Sequence, residues 1–335
     1  MPGNWGAGGT GCPGVVTTGP AGKPAGAAGT PCSTTANQTQ RFALTVANPA
    51  QGNQYLGGGG GSVLVNDNSM GNYNGMIATV QHRLSSTFSL LANYTFSKCL
   101  GIADAQGDYA GTNVENPNNL ALDYGPCGSD FRHIENIVIV ARSNFHSLSG
   151  VPSALVNGWE LGTLAHISSG SPFTVTTGTD ISLTDIGNDR PNLVPGVPVY
   201  LHQAIRSGTG PANRAYLNPA AFCGNSTAAS PCSNPVAPGA YGNISRNSFR
   251  SPPLYQFDAQ ISRNFPIWER LAMQLRLEAF NLLNHPNFNA PSGATTGTLA
   301  GTSGSAAALS SSTFGQVSST SNTARVFQGS IKLSF

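Results

Sequence analysis

The chain has 335 residues, of which only 9% are charged, against roughly a quarter in ordinary soluble domains. Its apolar content is 39%, so Gly, Ser, Thr, Asn and Pro replace the missing charge, and this mixture favours strands and irregular loops over helices. A net charge of +2 without any cluster of Lys and Arg argues against a nucleic-acid partner.

Membrane-spanning helices are also excluded, because no apolar run approaches the roughly 18 residues that a helix needs to cross a bilayer. The most apolar run extends only from Ile137 to Ala141. If this chain meets lipid, it therefore has to do so as a closed β-sheet, since lipid offers no partner to unpaired backbone groups.

Residues 1–72 form a leading segment rich in Gly, Ser and Thr, which we predict to be an extracellular loop. After it, seven segments alternate apolar and polar residues, as strands with one apolar face do. The predicted strands are residues 74–84, 87–98, 133–145, 159–170, 255–265, 271–280 and 325–335.

Three of these segments leave a choice open. Residues 133–145 are evenly apolar, so the pattern does not determine which side chains face which way. The row that begins at Trp159 has Phe173 and Val175 as a candidate extension. Residues 268–284 have the composition of a helix, but the odd positions from Leu271 to Ala279 are all apolar, which favours a strand.

The last strand has the clearest pattern. From Phe327 its odd positions are apolar or glycine, its even positions are mostly polar, and it ends on an aromatic residue, which is typical of the closing strand of bacterial outer-membrane barrels. The side chains predicted to form a carboxy-terminal signal for the barrel-assembly machinery are Phe327, Ile331, Leu333 and Phe335.

The connections between the predicted strands alternate between short and long. Residues 85–86 and 266–270 form short connections and 146–157 a medium one, whereas 99–132, 178–253 and 284–324 are long. Outer-membrane barrels sort their connections in this way, with turns on the periplasmic side and loops outside. We therefore predict an all-β fold: a transmembrane antiparallel β-barrel with long extracellular loops.

Six cysteines occur in pairs, each pair in one predicted outer segment. This arrangement suggests three local disulfides in an oxidising compartment, although free thiols are an alternative; metal binding is disfavoured because no Cys-x-x-Cys spacing is present. The candidate disulfide residues are Cys12 and Cys32, Cys99 and Cys127, and Cys223 and Cys232.

An acidic loop is the one weak candidate for a metal site. Asp180, Asp185 and Asp189 could hold Ca²⁺ through hard oxygen ligands, but their spacing matches no EF-hand, and short acids in loops commonly cap turns. No Ser or Cys lies in a recognisable catalytic arrangement with a His and an acid, so we predict no catalytic residues and no cofactor.

Aromatic residues near the predicted strand ends suit the girdles that barrels place at the two membrane interfaces. These residues are Tyr94, Phe96, Trp159, Tyr255, Phe265 and Trp268.

Several motifs in order make the chain resemble the carboxy-terminal barrel region of Oar-like TonB-dependent transporters, a group typical of acidobacteria. They cover roughly residues 73–335, and each is weak by itself. The motifs are Tyr73–Leu84, Leu91–Lys98, Asp130–His133, Asn157–Trp159, Ser169–Thr174, Gly187–Asn192, Phe280–Phe288 and the terminal strand.

This resemblance implies a barrel of about 22 strands, of which residues 73–335 would supply seven or eight. It also implies an amino-terminal plug that contacts TonB and drives uptake of solutes such as siderophores or oligosaccharides. The chain shows neither a plug nor a signal peptide, since the residues after Met1 lack a basic start and an apolar core. We therefore expect a barrel fragment in the cell outer membrane, embedded in its lipid and linked to TonB only through the missing plug.

Two other functions stay open on sequence grounds. The first is an adhesion or structural protein of the outer membrane, whose disulfide-linked loops bind a partner without transport. The second is a soluble secreted β-sandwich, in which the apolar rows would face one another in a sealed core.

Overall fold

The structure is a computed structural model. It describes residues 15–16, 22–23, 70–85, 87–102, 115–116, 119–145, 156–182, 189–201, 205, 214–225, 232–268, 271–291, 294–296, 309 and 313–335. Cys12, Cys32, Asp185 and most of the predicted leading segment lie outside these residues, so the predicted boundary between 72 and 73 stays a prediction.

Fifteen strands occur in the described part of the chain. Seven are long: β3 (Gly71–Ser85), β4 (Phe88–Gly101), β6 (His133–Arg142), β7 (Trp159–Ser168), β12 (Leu254–Trp268), β13 (Leu271–Phe280) and β15 (Val326–Ser334). The short ones are β1 (Val15–Val16), β2 (Gly22–Lys23), β5 (Gly125–Pro126), β8 (Pro172–Val175), β9 (Asn192–Leu193), β10 (Phe222–Cys223), β11 (Phe249–Arg250) and β14 (Ala294–Thr296).

The seven long strands form one antiparallel sheet in the order β15-β13-β12-β7-β6-β4-β3, with β5 paired to the end of β4. Each long strand therefore lies beside the long strand that precedes it in the chain. All seven predicted strands are confirmed, and residues 271–280 form strand rather than helix. No helix among the described residues has the length and apolar character to cross a membrane.

The predicted extension of the Trp159 row to Phe173 and Val175 is wrong. Strand β7 ends at Ser168, and residues 172–175 form β8, which pairs with β11 and β14 in a separate small sheet. The chain turns at Gly170, where an added Cβ would lie 1.7 Å from the carbonyl oxygen of Ser251. Only glycine permits this close approach of two backbones.

The register of the sheet places the seven apolar rows on one common face, because directly paired residues of antiparallel strands share a face. One line of pairs crosses five strands: Val80, Ala92, Ile137, Ala165 and Phe257. A second line continues through Ile261, Leu277 and Gly329. We call this the outward face. The register also resolves β6, in which Ile137 and Ile139 lie on the outward face and Val138 and Val140 on the opposite, inner face.

The outward face is open to its surroundings rather than sealed. Large apolar side chains on it are substantially exposed, among them Leu161 at 44%, Leu277 at 52% and Ile331 at 67%. A β-sandwich would bury these rows as its core. The soluble-sandwich alternative is therefore inconsistent with the structure.

The main apolar core lies instead in the long connections. We call residues 115–132, 169–253 and 281–325 the loop cap, as far as they are described. Phe222 lies at the centre of the core, with its ring centroid 5.3 Å from Phe249 and 5.5 Å from Phe314. The buried core residues are Phe173, Val175, Leu217, Ala221, Phe222, Ile244, Phe249 and Phe314.

The two edges of the sheet are unpaired among the described residues, since β3 pairs only with β4 and β15 only with β13. Every residue of β15 is exposed, on both faces. The described strands thus form an open sheet, and closure of a barrel of about 22 strands stays a prediction.

Candidate functional site

The outward face carries Lys, Arg, His and Glu side chains only near its two ends. Lys98, His133 and Glu135 lie at the end next to the loop cap, and His82 and Arg263 lie towards the short turns. Between them the described outward positions are uncharged. Strands β6, β7 and β13 each have 10 residues, which matches the roughly 9–11 residues of a strand that crosses a bilayer.

Aromatic rings accompany these charged ends. Towards the loop cap, the Tyr94 hydroxyl lies 2.8 Å from His133 Nδ1, and the Phe96 ring lies 5.4 Å from the same imidazole. Towards the turns, the Arg263 guanidinium lies 4.7 Å from the Phe265 ring and 5.4 Å from Trp159. Rings with polar neighbours at two levels of an apolar surface are typical of the interfaces of a membrane protein.

A family model for the outer membrane beta barrel domain matches residues 22–328. The chain belongs to this family. No curated protein and no solved structure matched the chain. Membership of the outer membrane beta barrel domain family places the protein in the outer membrane and makes the outward face its lipid-facing surface.

The inner face of this outer-membrane sheet is mostly polar on β12, β13 and β15, whereas Leu91, Val138 and Leu164 form an apolar line across β4, β6 and β7. Pairs such as Gln260 with Glu278 and Gln274 with Lys332 lie across neighbouring strands, and Arg276 is 3.5 Å from Glu278. Further along, His166 Nδ1 lies 2.6 Å from Asn136 Oδ1. Such a surface suits a water-filled interior, because polar groups removed from water without partners would cost free energy.

One buried arginine joins three separate parts of the loop cap. The Arg190 guanidinium forms ion pairs with Glu115 at 2.5 Å and with Asp123 at 2.7 Å, and all three side chains are at most 3% exposed. It also donates hydrogen bonds to the carbonyl oxygens of Leu122 and Ile244. A guanidinium suits this position because it presents five N–H donors in a planar fork.

A second cluster joins the loop cap to the sheet. Asp130 is fully buried, accepts a hydrogen bond from Cys99 N and pairs with both Arg132 and Arg250. Burial alone would raise the pKa of Asp130, but the Cys99 hydrogen bond and the two guanidinium groups outweigh burial and lower its pKa.

The connection after β13 is held by asparagine side chains. Asn281 has a φ of 51°, and its side chain bonds both the N–H and the carbonyl oxygen of His285. Asn287 is 1% exposed and bonds both backbone groups of Tyr255. Asparagine tolerates positive φ better than most residues and mimics backbone hydrogen bonding, which explains its use here.

Two of the three expected cysteine pairs are disulfides in the structure. Cys99 is bonded to Cys127, which links the end of β4 to the loop cap, and Cys223 is bonded to Cys232 within the cap. The third expected pair, Cys12 and Cys32, lies outside the described residues.

The acids proposed for Ca²⁺ are only partly described. Asp189 accepts a hydrogen bond from Ser182 N at 2.5 Å, and the Ser182 hydroxyl donates to Asp180. Burial raises the pKa of Asp189 despite these hydrogen bonds. In the described part of the chain, no three His, Cys, Asp or Glu side chains are grouped as metal ligands. Asp185 is not described, and Ca²⁺ binding stays a prediction.

We expect the stability of the loop cap to fall as pH rises from about 4.5 to 7. Burial raises the pKa of Glu115 from 4.5 to about 7, more than Arg190 lowers it. Between these two pH values the folded protein keeps a proton on Glu115 that the unfolded chain has already lost. The resulting stabilisation of the folded state is complete below about pH 4.5 and is lost as the pH rises through about 7. It amounts to at most about 3 kcal/mol.

The measurement is the rate of proteolysis of the loop cap between pH 4.5 and 7.5, corrected for the protease's own pH profile. Glu115→Gln should flatten the pH dependence, because the amide keeps the hydrogen-bonding shape and cannot titrate. A variant whose pH dependence equals that of the wild type would show that another group is responsible.

The residues that hold the loop cap were not recognised from sequence as a site. Asp130 and Arg190 stand inside two of the resembling motifs, Asp130–His133 and Gly187–Asn192, but nothing local indicates their partners. Glu115 lies 75 residues from Arg190 in the chain. The only available signal was that charge is scarce, so each charged residue in a motif is a candidate for a specific ion pair.

Proposed function

We propose that the sheet is part of the wall of an Oar-like TonB-dependent transporter, which takes up a solute such as a siderophore or an oligosaccharide across the outer membrane. One observation carries this proposal. The motifs that resemble these transporters supply the residues that build the loop cap, among them Asp130, Arg190, Asn281 and Asn287. The resemblance therefore lies in the parts that shape the outer entrance, and not only in strand patterning.

The polar inner face supports the same proposal, since a solute path needs a wall that water can wet. The open edges at β3 and β15 support a wall with further strands, because unpaired backbone groups are not tolerated in lipid. Energy would reach the solute through a plug that contacts TonB, and the described residues do not include a plug. We propose no catalytic activity.

The test is uptake by cells that carry the full-length protein. A radiolabelled ferric siderophore and a radiolabelled oligosaccharide are the two probes, each measured with and without the gene and with and without TonB. We expect uptake of one probe to require both. Uptake that needs the gene but is unchanged by loss of TonB would contradict the proposal.

An adhesion role is the second candidate, favoured by the loop cap itself. The cap has its own apolar core, one internal disulfide and one disulfide to β4, so it can present a fixed surface to a partner. Loss of cell attachment on deletion of the gene, with uptake of both probes unchanged, would favour adhesion over transport.

A further inference from the structure

We propose that the outward face at the start of β15 binds the phosphate of the phosphorylated glycolipid in the outer leaflet. The site consists of Arg325, His285, Tyr255 and Phe327, which we call the rim site. This inference depends on the outer-membrane location and is independent of the proposed transport.

The position of the rim site matches the level of lipid headgroups. The Arg325 guanidinium lies 5.3 Å from the Phe327 ring, and Phe327 is an outward residue that is 69% exposed. The His285 ring lies 5.5 Å from Tyr255, another outward residue at the loop-cap end of its strand. Cationic and aromatic side chains side by side at a membrane interface are suited to anionic headgroups.

The backbone around the rim site is held in place by hydrogen bonds. Arg325 N donates to Asn284 Oδ1, and the guanidinium Nη1 donates to the carbonyl oxygen of Leu282. The carbonyl oxygen of His285 accepts from the side chains of Asn281 and Asn322. The side chains of Arg325 and His285 thus project from segments that are already ordered, which lowers the entropic cost of binding.

The chemistry of the rim site favours phosphate. The hydrogen bond to Leu282 uses one of the five N–H donors of a guanidinium, and no carboxylate of the described residues forms an ion pair with Arg325. A guanidinium forms two parallel hydrogen bonds to a phosphate, which an ammonium group cannot do.

The other cationic group at this level is less suitable. Lys98 lies on β4 and carries an ammonium group, which cannot form the two parallel hydrogen bonds that a guanidinium forms with a phosphate. By strand spacing, Glu135 lies about 19 Å from β15 and about 10 Å from Tyr255, with which it shares a line of pairs through Ile167. The observations therefore favour Arg325.

The test measures binding of diphosphoryl lipid A and of dephosphorylated lipid A to the full-length protein, extracted from the outer membrane in detergent. Arg325→Gln should weaken binding of diphosphoryl lipid A about tenfold, the loss expected for a charge-assisted hydrogen bond. Arg263→Gln is the matched control, since it removes a guanidinium from the same face at the opposite end. It should bind as the wild type does.

Arg325→Lys keeps the positive charge but lacks the planar set of N–H donors of a guanidinium, so it should bind diphosphoryl lipid A several-fold more weakly. This variant replaces Arg325→Gln in the test if that variant does not assemble. Equal affinity of the wild type for both lipids would overturn the proposal, as would undiminished binding by these variants. Displacement of lipid A by millimolar inorganic phosphate would also overturn it, because the site would then take free phosphate rather than a lipid headgroup.

Discussion

Arg190→Met should destabilise the loop cap by about 3–5 kcal/mol, the cost of removing one partner from a buried ion pair. Methionine is of similar length but carries no charge, so Asp123 would lose its counter-charge and Glu115 its guanidinium partner while both remain buried. The carbonyl oxygens of Leu122 and Ile244 would also lose their donor. The cap should open, and limited proteolysis of the disulfide-intact protein in detergent would measure the change.

The exposed pair of Arg142 and Glu160 provides the control for this experiment. Its two atoms are 2.7 Å apart, but the side chains are 64% and 31% exposed, so Arg142→Met should cost less than about 1 kcal/mol. A combined variant, Arg190→Met with Glu115→Gln and Asp123→Asn, should recover part of the lost stability. Equal protease resistance of Arg190→Met and the wild type would show that this cluster does not hold the cap.

Ile137→Arg should prevent stable insertion, whereas Val138→Arg should be tolerated. These neighbours lie near the middle of β6, an interior strand of the sheet, and both are partly buried and β-branched. Ile137 pairs with Ala92 and Ala165 on the outward face, and Val138 lies on the inner face. An arginine that faces lipid at mid-bilayer costs about 2–4 kcal/mol. An arginine on the inner face packs its stem beside Leu91 and Leu164 and keeps its charged end in the water of the lumen.

The measurement is the fraction of each variant that resists urea extraction from outer membranes. Expression should be matched by comparing total protein before fractionation. Equal loss of both variants would mean that both faces of β6 are buried, and a larger loss for Val138→Arg would mean that the lipid-facing side of the sheet has been assigned the wrong way round.

The strands of the sheet could be predicted because alternation of apolar and polar residues is a local property. The rows in β12, β13 and β15 each continue over at least four alternate positions, and the structure places all of them on one face. Strand β6 could not be oriented in this way, because Ile134, Val138 and Val140 make its inner side as apolar as its outward side. The pairing of β6 with β4 and β7 determines which of its side chains lie on the outward face.

The local pattern of apolar residues predicted the wrong end for β7, because a contact with a distant residue turns the chain there. Phe173 and Val175 fall in the same alternation as Ile167, with Ser169 and Ser171 between them, so the sequence allows one longer strand. The close approach of Gly170 to Ser251 turns the chain into the loop cap, where both side chains become fully buried. The alternation of apolar and polar residues is local, so it cannot indicate a contact between residues about 80 positions apart.

By itself the sequence determined the all-β architecture, the membrane-facing rows and the alternation of short and long connections, because each follows from residues close together in the chain. The tertiary structure alone decided the core of the loop cap and the partners of Arg190 and Asp130. Their free energy comes from burial and ion pairs between segments far apart in the chain. Such partners are chosen by how the segments pack, and packing is a property of the folded molecule.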